Sequence, residues 1–226
     1  MRAAADRALV AGAAGNIEVA ASIPDSPHAV AVIAHPHPLH GGTMDNKVVT
    51  TLARAFADAG AATFRFNFRG VGATEGAHDE GRGETEDCLA VIAHAKRAAG
   101  GQLPLWLAGF SFGGAVAVRA SAHVDFHQLV LVAPAFRRLT GEGLGAAPDP
   151  ADPELGAEGR HTLANTLIVH GDRDETVSLR DSVEWATRRD VPIVVVPGAD
   201  HFFHRKLGHI KSWVVQLWRQ GGAQAL

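Results

Sequence analysis

Cysteine is nearly absent from this 226-residue chain: Cys88 stands alone, so no internal disulfide can form. That suits a reducing compartment, and a cytoplasmic location is the expectation. Long apolar runs are missing as well. No segment approaches the roughly 18 apolar residues of a membrane span. Asp6 and Arg7 interrupt the alanine-rich start where a signal peptide needs an unbroken apolar stretch, so a soluble protein with no membrane association is expected. Nor is there a run of Lys or Arg. With 21 basic residues against 24 acidic ones, the chain lacks the clustered cationic face that neutralising phosphates requires, which argues against a nucleic-acid partner. A neutral or modestly polar small molecule fits this charge better.

What the chain has is an ordinary globular balance, 46% apolar, and enough length for one core. Short apolar runs alternate with longer amphipathic ones, the pattern of a mostly parallel sheet flanked by helices, an α/β architecture. Strands are expected at Val30–Ala34, Ala62–Phe68, Leu103–Ala108, Leu129–Ala133, Thr166–His170 and Ile193–Val196. Their lack of alternation marks strands buried on both faces. Asn16–Ile23 alternates more and reads as an antiparallel edge strand. Helices are expected at Asp87–Ala99, at Leu179–Arg189 with Ser178 as N-cap, and at Leu207–Arg219 with Ile210, Trp213, Val214 and Leu217 on one stripe. Cys88 falls on the apolar stripe of the first of these and reads as packing. The stretch 136–164, with Pro148, Pro150 and Pro153, reads as a loop holding one short helix, too short and polar for a lid domain. One domain over residues 1–226 is expected; the oligomeric state is left open.

The sharpest local signal is Gly109-Phe110-Ser111-Phe112-Gly113-Gly114. An apolar run leads into it and a helical run rich in Ala and Val follows. Such a strand–turn–helix elbow forces its central residue into a strained backbone with the hydroxyl exposed at the sheet edge. The flanking glycines serve where strand and helix backbones nearly touch. The bare pattern also occurs by chance, but its placement between a buried strand and a helix makes Ser111 a candidate nucleophile.

A serine hydroxyl needs a base, and the base an orienting carboxylate. Behind such an elbow they follow in the order serine, acid, histidine. Two strand ends downstream supply candidates. One is His170-Gly171-Asp172-Arg173-Asp174-Glu175-Thr176-Val177; the other is Gly198-Ala199-Asp200-His201-Phe202-Phe203-His204. For the base, His201 directly follows the Gly198 turn, while His204 and His209 lie nearer the final helix and His170 reads as a brace of its turn. For the acid, Asp200 is adjacent to His201 and diverges from it. Spacing does not separate Asp172 from Asp174.

Four motifs in order extend over most of the chain. They are His35-Pro36-His37-Pro38-Leu39-His40-Gly41-Gly42-Thr43-Met44-Asp45-Asn46-Lys47, Phe66-Asn67-Phe68-Arg69-Gly70-Val71-Gly72-Ala73-Thr74-Glu75-Gly76, the Ser111 elbow, and Asp200-His201-Phe202-Phe203-His204. Together they resemble a group of small lidless bacterial hydrolases of the α/β-hydrolase superfamily, in which esterase activity is inferred. His170-Gly171-x-x-Asp174-x-x-Val177 looks like the acid loop of many α/β-hydrolases. The resemblance implies an α/β-hydrolase fold without a lid domain and a serine carboxylesterase with Ser111, Asp174 and His201 as catalytic residues. The partner it implies is a small-molecule ester, with no cofactor and no metal. Dienelactone hydrolases are also similar but carry Cys at the elbow.

Acyl transfer further needs two N–H donors for the oxyanion. Phe112, following the nucleophile, supplies one. The second is expected from the loop after Val30–Ala34, where Pro36 and Pro38 have no N–H. His37 ranks first, at the position where related hydrolases place the donor, and Leu39 second. His35, His37 and His40 read as loop braces, because the prolines between them misdirect a metal-ligand set. Arg69-Gly70-Val71-Gly72 is expected to shape the pocket beside Ser111. Thioester, amide or acyl-transfer chemistry through the same residues, and a non-catalytic binding module of this fold, are the competing functions.

Overall fold

The computed structural model describes residues 5–139 and 165–222. Among these residues eight strands form one sheet: β1 (Asp6–Gly12), β2 (Gly15–Ser22), β3 (Ala29–Ala34), β4 (Ala61–Phe66), β5 (Leu105–Phe110), β6 (Gln128–Val132), β7 (Thr166–Gly171) and β8 (Ile193–Val196). They lie in the order β1-β2-β4-β3-β5-β6-β7-β8. β3 to β8 are parallel, whereas β1 and β2 pair antiparallel with each other and β2 antiparallel with β4. The six apolar runs thus become the parallel sheet. β3, β5, β6 and β7 are buried at every position, as strands covered on both faces must be.

Asn16–Ile23 is antiparallel as expected, but it is not an edge strand. The edge is β1, which pairs from Asp6↔Ala21 to Gly12↔Gly15. Along β1 only Val10 is buried, so no apolar pattern announced it. Among the described residues five helices pack on the sheet: α1 (Lys47–Asp58), α2 (Arg82–Ala98), α3 (Phe112–Ser121), α4 (Leu179–Thr187) and α5 (Leu207–Gly222). α1 and α5 cover the face carrying Ala31, Ile33, Trp106 and Val130. α2, α3 and α4 cover the face carrying Val30, Val32, Leu107 and Leu129. Burying a side chain such as Phe56 or Trp106, both inaccessible to solvent, contributes about 1.5–3 kcal/mol or more.

α2 begins five residues before the expected Asp87, because its first turn holds buried polar residues. Glu84 there accepts hydrogen bonds from the amides of Asp79 and Gly81. Cys88 lies in the core, where burial pushes its thiol up to about 12, with Asp87 adding to the effect. In α5, Ile210 and Val214 are buried but Trp213 is exposed, so the expected stripe is narrower; the side chain of Leu217 lies outside the described residues. Ser178 occupies the cap position of α4 without a capping side-chain bond. Of the expected 136–164 loop, Phe136–Leu139 forms a 3-10 turn, with Phe136 stacked on Trp185 at 4.4 Å; the rest lies outside the described residues.

Strand order fixes where a site can form. From β3 the chain passes to β4 on one side and returns to β5 on the other, so β3 and β5 flank a switch point. Ligands in open α/β sheets bind outside the carboxyl ends of such strands. His35 directly follows β3 and Ser111 directly follows β5.

Candidate active site

Ser111 sits between β5 and α3 with φ 55° and ψ −118°. A non-glycine residue with positive φ stores strain and persists only where its surroundings hold it. Here they do. The Ser111 amide donates to Val132 O at 2.9 Å, and its carbonyl accepts from the amides of Gly114 and Ala135, each at 3.0 Å. The elbow depends on two close backbone approaches. A Cβ on Gly109 would collide with the carbonyl of Gly113, and one on Gly113 with the carbonyls of Ala34 and His35.

A chain of hydrogen bonds runs outward from the hydroxyl. Ser111 Oγ lies 3.0 Å from His201 Nε2, and His201 Nδ1 lies 2.7 Å from Asp174 Oδ2. A carboxylate only accepts, so Nδ1 carries the hydrogen and Nε2 accepts from the serine. Asp174 Oδ1 accepts the amides of Thr176 at 2.9 Å and Val177 at 2.8 Å. Its side chain is fully buried. Burial alone would raise its pKa, but bonds from His170, His201 and the Val177 amide overrule this and hold it well below the usual carboxylate range. The imidazole of His201 is flanked by Phe110 at 4.9 Å and Phe202 at 5.1 Å.

The other candidates have different partners. Asp172 accepts the amide of Gly198 and so ties the acid loop to the histidine loop. Asp200 bonds His204 Nδ1 at 2.6 Å on the surface, away from Ser111. His209 lies in the first turn of the last helix, its amide bonded to Lys206 O. His170 is fully buried, 3.2 Å from Asp174 Oδ2, so besides bracing its turn it touches the acid, a contact that strand-end spacing did not reveal.

The upstream loop closes the other side. His35 is buried, its Nδ1 2.6 Å from Pro36 O and its Nε2 accepting from the Phe68 amide at 3.0 Å. The ring is therefore neutral and hydrogen-bearing at Nδ1, and burial lowers its pKa to about 4. The ring of His37 packs at a tilt against that of Phe112, with centroids 4.8 Å apart, so the two residues first expected to donate to the oxyanion lie together. Leu39 is not brought in: its amide donates to His37 Nδ1 and its side chain is 68% exposed. Arg69, Gly70, Val71 and Gly72 are not among the cavity's lining residues, contrary to expectation. Arg69 is turned inward, its guanidinium 2.8 Å from Asp87 of α2. A cavity of about 730 Å³ opens over Ser111, lined by His37, Phe112, His201, Phe202 and residues 174–181. No helix among the described residues is long and apolar enough to cross a membrane.

Comparison with known proteins agrees with this architecture. A family model described as serine aminopeptidase, S33, matches residues 26–147, just over half of the chain. An α/β serine hydrolase homologue from Coxiella burnetii is 38% identical, with 93% of this chain and 96% of that one aligned at a TM-score of 0.77. An α/β serine hydrolase without a lid from Xanthomonas campestris is 32% identical over 97% of this chain and 96% of its own, with a TM-score of 0.80. An uncharacterised protein of Rickettsia prowazekii is 29% identical over 86% of this chain and 81% of its own length. The expected fold is therefore the observed one, and the chain belongs to the serine aminopeptidase S33 family of α/β-hydrolases, among its lidless members.

Proposed function

We propose that the protein is a carboxylesterase acting on small or accessible esters through Ser111, His201 and Asp174. The observation that carries this reading is the unbroken chain of bonds, 3.0 Å from Ser111 Oγ to His201 and 2.7 Å from His201 to Asp174. In this reading His201 Nε2 takes the hydroxyl proton as Oγ attacks the ester carbonyl carbon. Asp174 holds the ring and stabilises the imidazolium without taking a proton. The tetrahedral oxyanion is met by the backbone N–H groups of Phe112 and His37; losing one such donor costs ~10²–10³ in rate. His201 then gives its proton to the leaving alcohol, and an acyl-enzyme on Ser111 remains. A water, deprotonated by His201, hydrolyses that intermediate and restores the serine. No cofactor enters these steps.

The test is Ser111→Ala with a short-chain p-nitrophenyl ester. Turnover should fall by at least ~10⁴-fold, as when a nucleophile is removed, with the melting profile unchanged. A fluorophosphonate should label the wild type at Ser111 and spare the variant. Most activity surviving the substitution would overturn the reading. Turnover of thioesters or amides in preference to esters would move the substrate class while keeping the residues.

A further inference from the structure

Asp174 faces two histidines, and the reaction just described uses only one. His170, the last residue but one of β7, is fully buried, with Nε2 3.2 Å from Asp174 Oδ2 and 3.1 Å from Val177 O. Its Nδ1 lies 2.8 Å from Ser182 Oγ on α4. Both groups near Nε2 are acceptors, so Nε2 carries a hydrogen, and Nδ1 is left to meet a hydroxyl that can donate to it. Asp174 Oδ2 is thus shared, with His201 on one side at 2.7 Å and His170 on the other. The amides of Thr176 and Val177 hold Oδ1, so three donors and the His170 contact surround the carboxylate, and the one hydrogen on His170 Nε2 lies between Asp174 Oδ2 and Val177 O.

We infer that His170 is a positioning residue for the reaction: a second imidazole that fixes which oxygen Asp174 offers to His201 and limits how strongly that oxygen attracts a proton. The inference rests on reading Ser111, His201 and Asp174 as the reacting set. The Thr176 and Val177 amides fix Oδ1, which leaves Oδ2 to be placed between the two imidazoles, and misplacement of that oxygen by about 1 Å can cost ~10²-fold. His170 also draws on the same negative charge that stabilises the His201 imidazolium, so its removal leaves His201 more basic. Ser182 and the Val177 carbonyl keep the second ring upright.

The other charged groups on these segments do not compete for this contact. Asp172 is bonded to the Gly198 amide, Asp181 to Arg137 and Asp200 to His204, while Glu175 is exposed at the cavity. The ring of His201 meets Phe110 and Phe202. Asp174 is the charge through which loss of His170 reaches His201.

Two variants separate positioning from packing. His170→Leu fills the space without a donor, and His170→Gln keeps an N–H that can reach Asp174. His170→Leu should lower kcat by about 10- to 100-fold with KM little changed, and should move the acid limb of the kcat/KM profile to higher pH, since that limb reports the free-enzyme base. His170→Gln should recover most of both. Equal behaviour of the two variants, with an unmoved limb, would overturn the inference. If His170→Leu does not fold, Ser182→Ala supplies the test: it removes only the outer bond, and should move the limb the same way by less, while an unmoved limb counts against the role. The pH dependence of fluorophosphonate labelling gives the same readout without a substrate. Ser111→Ala, run in parallel, separates the two failures, since activity in that variant would sink the underlying reading, whereas its loss beside wild-type behaviour of His170→Leu would sink only this one.

Discussion

On the cleft wall built from His35 to Gly42, the side-chain polar contacts run from ring to backbone: His35 to Pro36 O and the Phe68 amide, His37 to the Leu39 amide. On the wall built from residues 170–177 and 198–204, several run from side chain to side chain, from His170 and His201 to Asp174. The first wall is held by neutral groups and by the tilted packing of His37 against Phe112. The second is organised around one buried negative charge. The difference teaches where each can fail. A neutral buried histidine is lost to protonation, and a buried carboxylate held by donors is lost to neutralisation, so the walls yield to acid in different windows.

The second wall carries the largest effect. Asp174→Asn removes the charge and presents an amide that can leave His201 in the wrong tautomer, so kcat should fall by ~10⁴-fold. The same variant tests the charge thermodynamically. The carboxylate of Asp174 is depressed in the folded state, so its contribution is complete above the ordinary carboxylate value near ~4 and is lost as pH falls towards the lower folded value. Wild type should therefore lose melting temperature relative to Asp174→Asn as pH falls below about 4. A gap that does not narrow below about pH 4 would break the comparison.

The first wall should yield earlier. His35 is held at about 4 by burial, against an ordinary value of 6.5. Between those values the unfolded chain binds a proton that the folded chain refuses, so stability falls as pH drops through that window. At about 1.36 kcal/mol per pKa unit the loss is about 3 kcal/mol. His35→Gln does not titrate, and its urea-unfolding free energy should be flatter from pH 6.5 to 4 than that of the wild type. Parallel curves for the two proteins would remove His35 as the acid-sensitive element of this wall.

Much of this was legible before the structure, and the gaps have physical causes. The central strands announced themselves because burial on both faces makes Val30 to Ala34 or Leu129 to Val132 continuously apolar. β1 did not, since Ala8 and Leu9 face solvent and its hairpin turn, Ala13-Ala14, carries no turn signal. α1 is not among the expected helices although Asn46 caps it and Val48, Val49, Leu52 and Phe56 form its buried face. Ser111, Asp174 and His201 were expected together and lie in hydrogen-bonding contact. The choice of Asp174 over Asp172 came from resemblance, because two acids in one turn have the same spacing to everything distant. What distinguishes them is the Gly198 amide, which takes Asp172, and that approach belongs to tertiary structure. The Leu39 amide and the inward turn of Arg69 were hidden for the same reason: local sequence does not say which partner a donor has already found.

The smallest effect marks the outer limit of the second wall. Asp200 and His204 flank His201 in sequence and make a bond of 2.6 Å, shorter than any bond made by His201. Their side chains are nevertheless 46% and 69% exposed, and an exposed pair of this kind contributes ~0–1 kcal/mol. Removing the ring by His204→Ala leaves Asp200 able to accept the amide of residue 204, so the turn that delivers His201 keeps its backbone support. The expected change in kcat/KM is less than about twofold, and the shift in unfolding free energy stays within the range for surface pairs. A tenfold loss in kcat/KM would extend the charge-organised wall outward to the surface. Near-wild-type kinetics would restrict it to the buried residues around Asp174, where proximity in space rather than in sequence decides which groups take part.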